Sequence, residues 1–440
     1  MHTDRRRFLG GLGAATLGLT GFPAAAQGAP RVAIVGAGMA GLAAAHTLRW
    51  RGIPFVLLEA RDRIGGRAYT DWKSLNVPFD QGSAFLHAPS SNPLTPKVTE
   101  LGYTILRQSG PPEVYIGNSD QGVKGNRALQ AAYDELAHAI SVAGGHGDDV
   151  AAADLLNSSS VWDRLAAWAV GPAEAGIELA QLSTLDWYTH IGAGLGRDGL
   201  VREGLGSVVA AFGAGLPVSL STRVKSIDWS GPGVRLETQS GTVAADCCLV
   251  TVPVGVLRDG RITFTPALPA TKQAAIAGIT MGVVDKIALA FRHGSLPPVR
   301  NEWFYQVRKD GTIADVLVRP FGYDMTVQFT GGNLAREMEL LNDADQIAIA
   351  LAAVSDIYGN AATTGFSGGA VTRWARDPFS LGSHSAALPG QTHQRAELAK
   401  PVADRLYFAG EACAAAWAST LPGAFVSGRA AARVIAERHG

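Results

Sequence analysis

The sequence has 440 residues, enough for two or more domains, and it carries 38 basic and 38 acidic side chains. Hydrophobic residues make up 47% of it, which excludes a disordered chain, and the zero net charge argues against a nucleic-acid binder. Three cysteines are too few for a disulfide framework, and the 53 glycines indicate many tight turns and close backbone approaches.

The N-terminal 30 residues have the pattern of an export signal. Arg5-Arg6-Arg7 precedes a weakly apolar stretch from Phe8 to Leu19, and Ala24-Ala25-Ala26 provides a cleavage context. This arrangement resembles a twin-arginine signal, read by the twin-arginine export machinery. A membrane anchor is the alternative, but the apolar stretch is far shorter than the ~20 residues of a spanning helix. Without residues 1–30 the chain keeps 35 basic and 37 acidic side chains. We expect a mature protein that is periplasmic or secreted, without a membrane span or a structural disulfide.

A β-α-β pattern follows directly. Arg31–Val35 is a β-branched run typical of a buried parallel strand, and it leads into the glycine-rich segment Gly36–Gly41. An Ala- and Leu-rich helix is predicted over Leu42–Arg51, and a second strand over Phe55–Leu58 ends at Glu59. This pattern predicts a dinucleotide-binding site.

Each residue type in this motif has a physical role. Gly36 permits the tight turn, Gly38 lets the backbone approach a pyrophosphate, and Gly41 lets helix and strand pack closely. The helix N-terminus offers free N–H groups to the phosphates. Glu59 is expected to accept hydrogen bonds from a ribose hydroxyl, which favours NAD or FAD over NADP.

The segment after the second strand favours FAD. Gly65 and Gly66 allow a second close backbone approach, and Arg67 can offset phosphate charge. Alone, the segment would be interpreted as a glycine turn with solvated arginines. Together with the β-α-β pattern, residues 60–70 strongly resemble the FAD signature of the flavin amine oxidase family.

The resemblance covers nearly the whole mature chain, since further family segments occur in the expected order. These segments are Phe79–His87, Leu220–Ile227, Asp246–Pro253, Ile262–Pro269, Met281–Ile287, Arg373–Pro378, Leu406–Glu411, Leu421–Ala424 and Ser427–Arg429. The resemblance implies an α/β fold, with a discontinuous Rossmann-like FAD-binding domain and an inserted α+β substrate-binding domain. The FAD-binding domain is expected at 31–88, 203–290 and 399–440, and the substrate-binding domain at 89–202 and 291–398.

Non-covalently bound FAD is the implied cofactor. The expected contacts are Gly36, Gly38, Met39, Ala40, Gly41, Glu59, Ala60, Arg61, Gly65, Gly66, Arg67, Gly82, Ser83, Val224, Val252, Trp374, Gly410, Glu411, Thr420, Leu421 and Ala424.

The inserted segments contain one clear helical pattern. Apolar residues recur at helix spacing between Asn126 and Val142, and this stripe is expected to pack a core. Residues 144–149 are predicted to form a polar loop, and His138 and His146 do not have metal-ligand spacing. We therefore expect no metal site.

A second G-x-G-x-x-G match occurs at Gly194, Gly196 and Gly199. Such a match arises by chance in a glycine-rich chain. No apolar strand leads into it and no strand ending in an acid follows, so we expect it to bind no nucleotide.

The resemblance also assigns catalytic candidates. The family lysine matching Lys286 holds a water near flavin N5 and assists reoxidation by dioxygen, although a lysine beside a strand is ordinarily solvated. Trp374 is implied to be a wall against the flavin ring rather than a core residue. His87 matches a histidine of the polyamine oxidase substrate cavity, although a lone histidine is more often a packing or surface residue.

The chain departs from the family at the aromatic cage. Ser383 stands where monoamine oxidases carry a flavin-linking cysteine, and His384 stands where they carry a tyrosine. The second cage tyrosine is replaced by Thr420, as in polyamine oxidases. Trp417 is a candidate aromatic wall, with a packing role as the alternative. Cys413 is not at the linking position and is expected to be a small buried residue.

The expected activity is oxidation of a polyamine or another primary or secondary amine. The electron acceptor is dioxygen or a periplasmic redox protein. L-amino-acid oxidase, flavin desaturase and a non-catalytic flavoprotein remain alternatives. The absence of arginine from residues 82–87 weighs against the amino-acid oxidase, and Lys286 weighs against the desaturase. Monomer and homodimer both remain open.

Overall fold

The computed structural model of the protein describes residues 32–107, 111–156, 160–191 and 198–439. The export signal expected at 1–30, and Gly194 and Gly196 of the second glycine motif, lie outside these residues.

The described residues form strands that belong mainly to two large sheets. In chain order they are β1 Val32–Val35, β2 Phe55–Leu58, β3 Thr70–Asp71, β4 Phe79–Asp80, β5 Phe85–Leu86, β6 Ile105–Arg107, β7 Glu113–Ile116, β8 Ser119–Asp120, β9 Gly199–Val201, β10 Val218–Ser219, β11 Val224–Asp228, β12 Val234–Thr238, β13 Gly241–Ala245, β14 Cys247–Val250, β15 Thr263–Thr265, β16 Ile279–Gly282, β17 Val284–Phe291, β18 Glu302–Val307, β19 Ile313–Val318, β20 Met325–Gly331, β21 Phe366–Val371, β22 His384–Ala387 and β23 Leu406–Phe408.

Helices connect and cover these strands. The α-helices are α1 Met39–Trp50, α2 Thr95–Glu100, α3 Gly122–His146, α4 Val161–Trp168, α5 Thr184–Asp186, α6 Leu205–Gly213, α7 Val254–Arg258, α8 Ala270–Gly278, α9 Gly332–Met338, α10 Asp343–Tyr358, α11 Asn360–Gly365, α12 Gln394–Ala399 and α13 Leu421–His439. Residues Ala169–Ala175 form a π-helical segment that contains Pro172.

A parallel sheet in the order β10-β2-β1-β14-β23 forms the first core. β1 pairs with β2 on one side and with β14 on the other, and all three strands run parallel. The buried β-branched run of β1 lies at the sheet centre, where parallel strands are covered on both faces. Helices α1 and α13 pack on one face, and the antiparallel part of the sheet β13-β12-β11-β15 packs on the other. The α/β fold expected from the sequence is confirmed.

Helix α1 begins at Met39, three residues before the predicted start at Leu42. Gly38 is its N-cap, with an extended backbone and no side-chain cap, so the glycine motif itself forms the first turn. Gly41 lies within the helix against Gly36, where an added Cβ would be 1.9 Å from the Gly36 carbonyl oxygen. The close approach of helix and strand therefore depends on a residue without a side chain.

The second large sheet has the order β21-β17-β20-β19-β18-β7-β8. Most of its strands come from 89–202 and 291–398, but β17 starts at Val284, before the expected boundary at 290. Through β17 this sheet continues directly from the segment expected to bind the cofactor. The division into two domains stays a prediction.

Helix α3 contains the stripe expected between Asn126 and Val142, with Leu129, Leu136 and Ile140 buried. The loop predicted from Gly144 is wrong at its start, because the helix continues to His146. A Cβ at Gly144 would be 2.5 Å from the Cβ of Tyr188, so glycine is needed there for close packing rather than for a turn.

Three kinds of feature are absent from the described residues: a membrane-spanning helix, a cluster of metal ligands and a disulfide. None of the helices placed there is long and apolar enough to span a membrane. Among the same residues, no group of three or more His, Cys, Asp or Glu is arranged to hold a metal ion. All three cysteines lie within the described part and are free, and Cys247 and Cys248 are buried in β14.

Candidate active site

A cavity of about 310 Å³ is lined by residues from both large sheets. Most of the residues singled out from the sequence border it. They are Gly36, Gly38, Met39, Ala40, Glu59, Ala60, Arg61, Gly65, Gly66, Arg67, Gly82, Ser83, His87, Val224, Val252, Lys286, Trp374, His384, Gly410, Glu411, Thr420, Leu421 and Ala424. Gly41 and Trp417 are not among the described lining residues.

The glycine loop after β1 forms one end of the cavity. Gly36 has a φ of +105°, a conformation that side chains disfavour. A Cβ at Gly38 would meet no atom within 4 Å, so this backbone faces open space. The first turn of α1 carries no acidic residue and no side-chain cap. Its free N–H groups and positive end therefore suit an anionic group such as a phosphate.

Glu59 lies at the end of β2 and is bound by backbone amides. Its Oε2 accepts from the Ala37 N–H at 2.7 Å, and its Oε1 accepts from the Arg61 N–H at 2.8 Å. A carboxylate has about four acceptor positions, so capacity for a hydroxyl remains. The Arg61 guanidinium forms a two-pronged ion pair with Asp377 at 2.9 Å.

The second glycine pair packs against the first glycine loop. Gly65 and Gly66 both have positive φ, and the Gly65 N–H donates to the Ala37 carbonyl at 2.9 Å. Arg67 donates to the Ser383 carbonyl at 2.9 Å and to Glu411 Oε1 at 3.0 Å. Arg67 therefore ties the β1 end of the cavity to the chain around Ser383 and Glu411.

Glu411 is buried but ionised. Burial favours its neutral form, but the charge of Arg67, a hydrogen bond from Ser385 and the charge of Arg395 hold the pKa of Glu411 below its usual value. An ionised Glu411 gives Arg67 a fixed partner, so the orientation of Arg67 along the cavity is set before any ligand binds.

Lys286 lies on β17 with its amino group turned to the backbone beneath the cavity. Its Nζ donates to the Asp80 carbonyl at 2.8 Å and the Gly82 carbonyl at 2.5 Å. Burial lowers the pKa of Lys286 to about 8, against the charges of Asp80 and Asp285. Two of the three Nζ protons are used, which leaves one donor for a water or ligand in the cavity.

Trp374 forms a rigid wall next to Lys286. Its indole N–H donates to the Gln81 carbonyl at 3.0 Å, and its backbone N–H donates to Asp285 Oδ1 at 3.0 Å. A Cβ at Gly82 would be 1.7 Å from the Arg67 carbonyl oxygen and 3.2 Å from the Trp374 ring. The segment containing Gly82 can therefore fit against the wall only as glycine.

Acidic groups lie around His87. The His87 Nδ1 is 3.1 Å from Asp198 Oδ2, and Glu174 in the π-helical segment also borders the cavity. Burial opposes the charge of the imidazole, but Asp198 and Glu174 raise the pKa of His87. Burial, with a smaller contribution from the charge of Asp198, raises the pKa of Glu174 to about 8, against the charge of His87. This part of the cavity suits a cationic ligand.

The environment of His384, in contrast to that of His87, favours the neutral imidazole. Burial lowers its pKa, as does Arg67, against the charge of Glu411. Its Nδ1 is 3.1 Å from Ser383 Oγ, and its Nε2 has no hydrogen-bond partner among the described residues. A neutral His384 on the cavity wall follows from this environment.

Thr420 and Trp417 begin the turn before α13. Thr420 Oγ1 donates to the Trp417 carbonyl at 2.6 Å and accepts from the Gly423 N–H at 3.2 Å, so it caps the helix. Trp417 has a φ of +62° and is half-buried. Its carbonyl packs against Gly423, where a Cβ would be 1.9 Å away. Thr420 lies on the cavity and Trp417 lies outside its lining, so the packing alternative fits Trp417 better than the aromatic wall.

Sequence reasoning missed Glu174 and Phe329, which line the cavity, and Asp198, which pairs with the cavity residue His87. The Lys286 Nζ is 5.3 Å from the centroid of the Phe329 ring. No local motif marks any of them, since each comes from a different element. Glu174 had one available signal, an acid two residues after Pro172 in an otherwise apolar segment.

Comparison with known proteins gives a consistent result. The family profile described as "Flavin containing amine oxidoreductase" matches residues 39–154 and 152–436. The chain is 30% identical to polyamine oxidase 4 of Oryza sativa subsp. japonica over 441 residues, 92% of this chain and 88% of that protein. It is also 30% identical to probable polyamine oxidase 4 of Arabidopsis thaliana over 448 residues, 93% of this chain and 88% of that protein.

Solved structures share the fold. A putrescine oxidase bound to putrescine superposes with a TM-score of 0.76 at 20% identity, covering 92% of this chain and 98% of that one. A cyclohexylamine oxidase from Brevibacterium oxydans superposes with a TM-score of 0.77 at 20% identity, covering 93% of this chain and 99% of that one. At this identity the likeness concerns the fold alone.

Proposed function

The chain belongs to the flavin containing amine oxidoreductase family, and we propose that it is an FAD-dependent amine oxidase acting on polyamines or other primary or secondary amines. The family implies a flavin cofactor and an amine substrate. The nature of the flavin, the class of amine and the cellular location are our inference.

The glycine cradle fits FAD. The open space at Gly38, the uncapped start of α1 and the remaining acceptor positions of Glu59 match a pyrophosphate and a ribose. FAD held there would accept a hydride from the carbon next to the amine nitrogen, leaving an imine that water hydrolyses.

Non-covalent binding is supported by the absence of a suitable thiol. Ser383 lies at the position expected for a linking cysteine. Burial raises the pKa of the Cys413 thiol to about 12, so little of the nucleophilic thiolate forms at neutral pH.

The proposal depends mainly on one observation, that a single cavity runs without a break from the glycine loop to the region around His87. Its lining joins the glycine cradle at Gly38 to Lys286 and Trp374, and then to Glu174 and to His87, which is paired with Asp198. A nucleotide cofactor and a small cationic substrate can thus meet beside Lys286.

The charges in the cavity favour an amine over an amino acid. Asp198 would stabilise an ammonium group and repel a substrate carboxylate, and Glu174 would do the same once it is ionised, above its pKa of about 8. Arg61 and Arg67 are already paired, with Asp377 and Glu411 respectively. These two arginines are therefore poorly placed to clamp a carboxylate.

Lys286 has the remaining donor needed to hold a water in the cavity. Such a water would lie near the reacting face of the cofactor, where dioxygen or a periplasmic redox protein takes up the electrons. We include export through a twin-arginine signal in the proposal, on the pattern of residues 1–30.

The test is anaerobic mixing of the FAD-loaded protein with a panel of amines. The panel contains putrescine, spermidine, cyclohexylamine, benzylamine and an L-amino acid. We expect amines with a second cationic group to bleach the flavin absorbance fastest and the amino acid to leave it unchanged. An oxidase function is excluded if no amine in a broad panel reduces the flavin.

A further inference from the structure

Two buried carboxyl groups meet behind the cavity wall. Asp285 lies on β17 and Glu339 directly follows α9, and each is only 2% exposed. Their carboxyl groups accept from the backbone N–H groups of the adjacent residues Trp374 and Ala375, which brings the two side chains close together. Neither residue lines the cavity. A hydrogen bond between two carboxyl groups requires that one of them keep its proton.

The two carboxyl groups accept hydrogen bonds from two successive backbone N–H groups. Asp285 Oδ1 accepts from the Trp374 N–H at 3.0 Å, and Glu339 Oε1 accepts from the Ala375 N–H at 2.7 Å. The Trp374 indole is fixed from the other side by Gln81. The position of the Trp374 ring on the cavity is therefore set at both ends of the residue.

The same cluster reaches Lys286 through Thr372. Thr372 Oγ1 donates to Asp285 Oδ1 at 2.7 Å and accepts from the Lys286 backbone N–H at 2.8 Å. The Thr372 N–H in turn donates to the Lys286 carbonyl at 3.0 Å. Both residues that wall this part of the cavity thus depend on the orientation of the Asp285 carboxylate.

Asp285 Oδ1 already accepts two hydrogen bonds. The buried Oδ2 accepts none from an N–H group or a hydroxyl side chain of the described residues. The hydroxyl of a protonated Glu339 is the donor that the structure offers to it. Burial, followed by the hydrogen bond and charge of Asp285, raises the pKa of Glu339 to about 8, against the Ala375 N–H and the charge of Arg336.

The charges facing the pair come from three elements. Arg336 lies on α9, and Lys286 lies next to Asp285 on β17. Arg376, which follows Trp374, donates to the Glu339 carbonyl at 2.9 Å. All three are basic, so the pair keeps a single negative charge among them while one proton is retained.

We propose that Glu339 and Asp285 form a carboxyl–carboxylate clamp that shares one proton and positions Trp374 and Lys286 on the cavity wall. Both are positioning residues, since they act through the wall and touch no ligand. The clamp rests on the proposed function in one respect, because it assumes that the wall formed by Trp374 and Lys286 contacts the flavin ring.

The matched variants are Glu339→Gln and Glu339→Leu in the FAD-loaded protein. Glutamine keeps a donor for Asp285 and an acceptor for the Ala375 N–H, whereas leucine has a similar size and offers neither. We expect Glu339→Gln to keep the visible circular dichroism of the flavin and its anaerobic reduction rate within about twofold of the parent protein. Glu339→Leu should change the dichroism and lower the limiting reduction rate roughly 10- to 100-fold, with KM little affected, because the wall is misplaced.

The shared proton has its own readout. An infrared difference spectrum of the parent protein minus Glu339→Gln at pH 6 should show a protonated carboxyl stretch that is lost as the pH rises through about 8. The limiting reduction rate of the parent should fall over the same pH range. Glu339→Gln should not show that fall, and any titration of Lys286 or Glu174 persists in both proteins.

Three outcomes overturn the clamp. They are a Glu339→Leu protein with parental dichroism and rate, a Glu339→Gln protein as impaired as the leucine variant, and the absence of the carboxyl band. If Glu339→Leu does not fold, the infrared comparison with Glu339→Gln still decides. Dichroism and infrared spectra need no amine, so failure of every amine to reduce the flavin would contradict the proposed function and leave these readouts intact.

Discussion

Lys286 is the residue whose environment most directly links the structure to the proposed chemistry. Its amino group is held by the Asp80 and Gly82 carbonyls, and burial lowers its pKa to about 8. We expect Lys286→Met to slow reoxidation of the reduced flavin by dioxygen roughly 100-fold, the scale of a positioned proton-transfer group, with a much smaller effect on flavin reduction. Stopped-flow measurement of the two half-reactions separates these effects.

A second buried lysine provides the control. The Lys272 Nζ donates to the carbonyls of Glu397, Leu398 and Lys400, and Lys272 does not line the cavity. Lys272→Met removes a buried charge of the same kind and should lower stability while keeping the ratio of the two half-reaction rates. Lys286 loses its assigned role if both variants reoxidise at the parental rate.

Glu174 should determine the preference for substrates with two cationic groups. Its pKa is raised to about 8 by burial, so the free protein carries a neutral Glu174 below that pH and an ionised one above it. Attraction for a second ammonium therefore increases as the pH rises through about 8, until the substrate itself loses protons. We expect Glu174→Gln to lower kcat/KM for a diamine roughly 10- to 100-fold and to remove this rise.

A monoamine of the same chain length is the matched substrate, because it lacks the second ammonium and should be little affected. Glu100→Gln serves as the protein control, since Glu100 is an exposed partner of Lys97 on α2. Equal losses for diamine and monoamine would show that Glu174 supports the fold of the cavity rather than the choice of substrate.

At the scale of residues, a cavity side chain could be identified from the sequence only where a recognisable motif surrounds it. Gly38, Glu59 and Lys286 were singled out because local sequence patterns or the family resemblance marked them, and all three border the cavity. Glu174 and Asp198 were missed because their relation to His87 exists only after separate segments fold together. Their catalytic and binding roles remain predictions.

Two glycines of one motif have different roles at the start of helix α1. A Cβ at Gly41 would overlap the Gly36 carbonyl oxygen, whereas a Cβ at Gly38 would meet nothing within 4 Å. We expect Gly41→Ala to destabilise the apoprotein by roughly 1–3 kcal/mol or more, as overpacking does. Gly38 has a φ of −73°, which alanine adopts readily, so Gly38→Ala should fold normally and weaken FAD binding.

Thermal melts of the apoproteins and FAD titrations check this pair. Each variant is the control for the other, because both add one methyl group to the same turn. An apoprotein Tm lowered equally by the two substitutions, or parental FAD affinity in Gly38→Ala, would contradict the assignment.

The strands and helices near the glycine motif were predictable because their patterns are local. β1 and β2 fall within the expected ranges, and α1 starts three residues before and ends one residue before the predicted helix. The π-helical segment at Ala169–Ala175 was not predictable, because Pro172 removes a backbone donor and tertiary packing must supply the alternative. That segment carries Glu174 to the cavity.

At the scale of the whole molecule, the cavity is assembled from segments far apart in sequence. The ion pair of Arg61 with Asp377 and that of Arg67 with Glu411 connect the β1 end of the cavity to chain more than 300 residues later. Because these pairs are largely buried, they fix the relative position of the segments better than exposed pairs could.

The sequence by itself determined the nucleotide-binding end of the protein, because glycine spacing and strand periodicity are properties of neighbouring residues. It also indicated Lys286 and Trp374 through the family resemblance. Only the tertiary structure decided which charges face His87, that Trp417 lies outside the cavity lining, and that Asp285 and Glu339 meet behind Trp374. These features depend on contacts between distant segments, and burial at such contacts sets protonation states that no local pattern encodes.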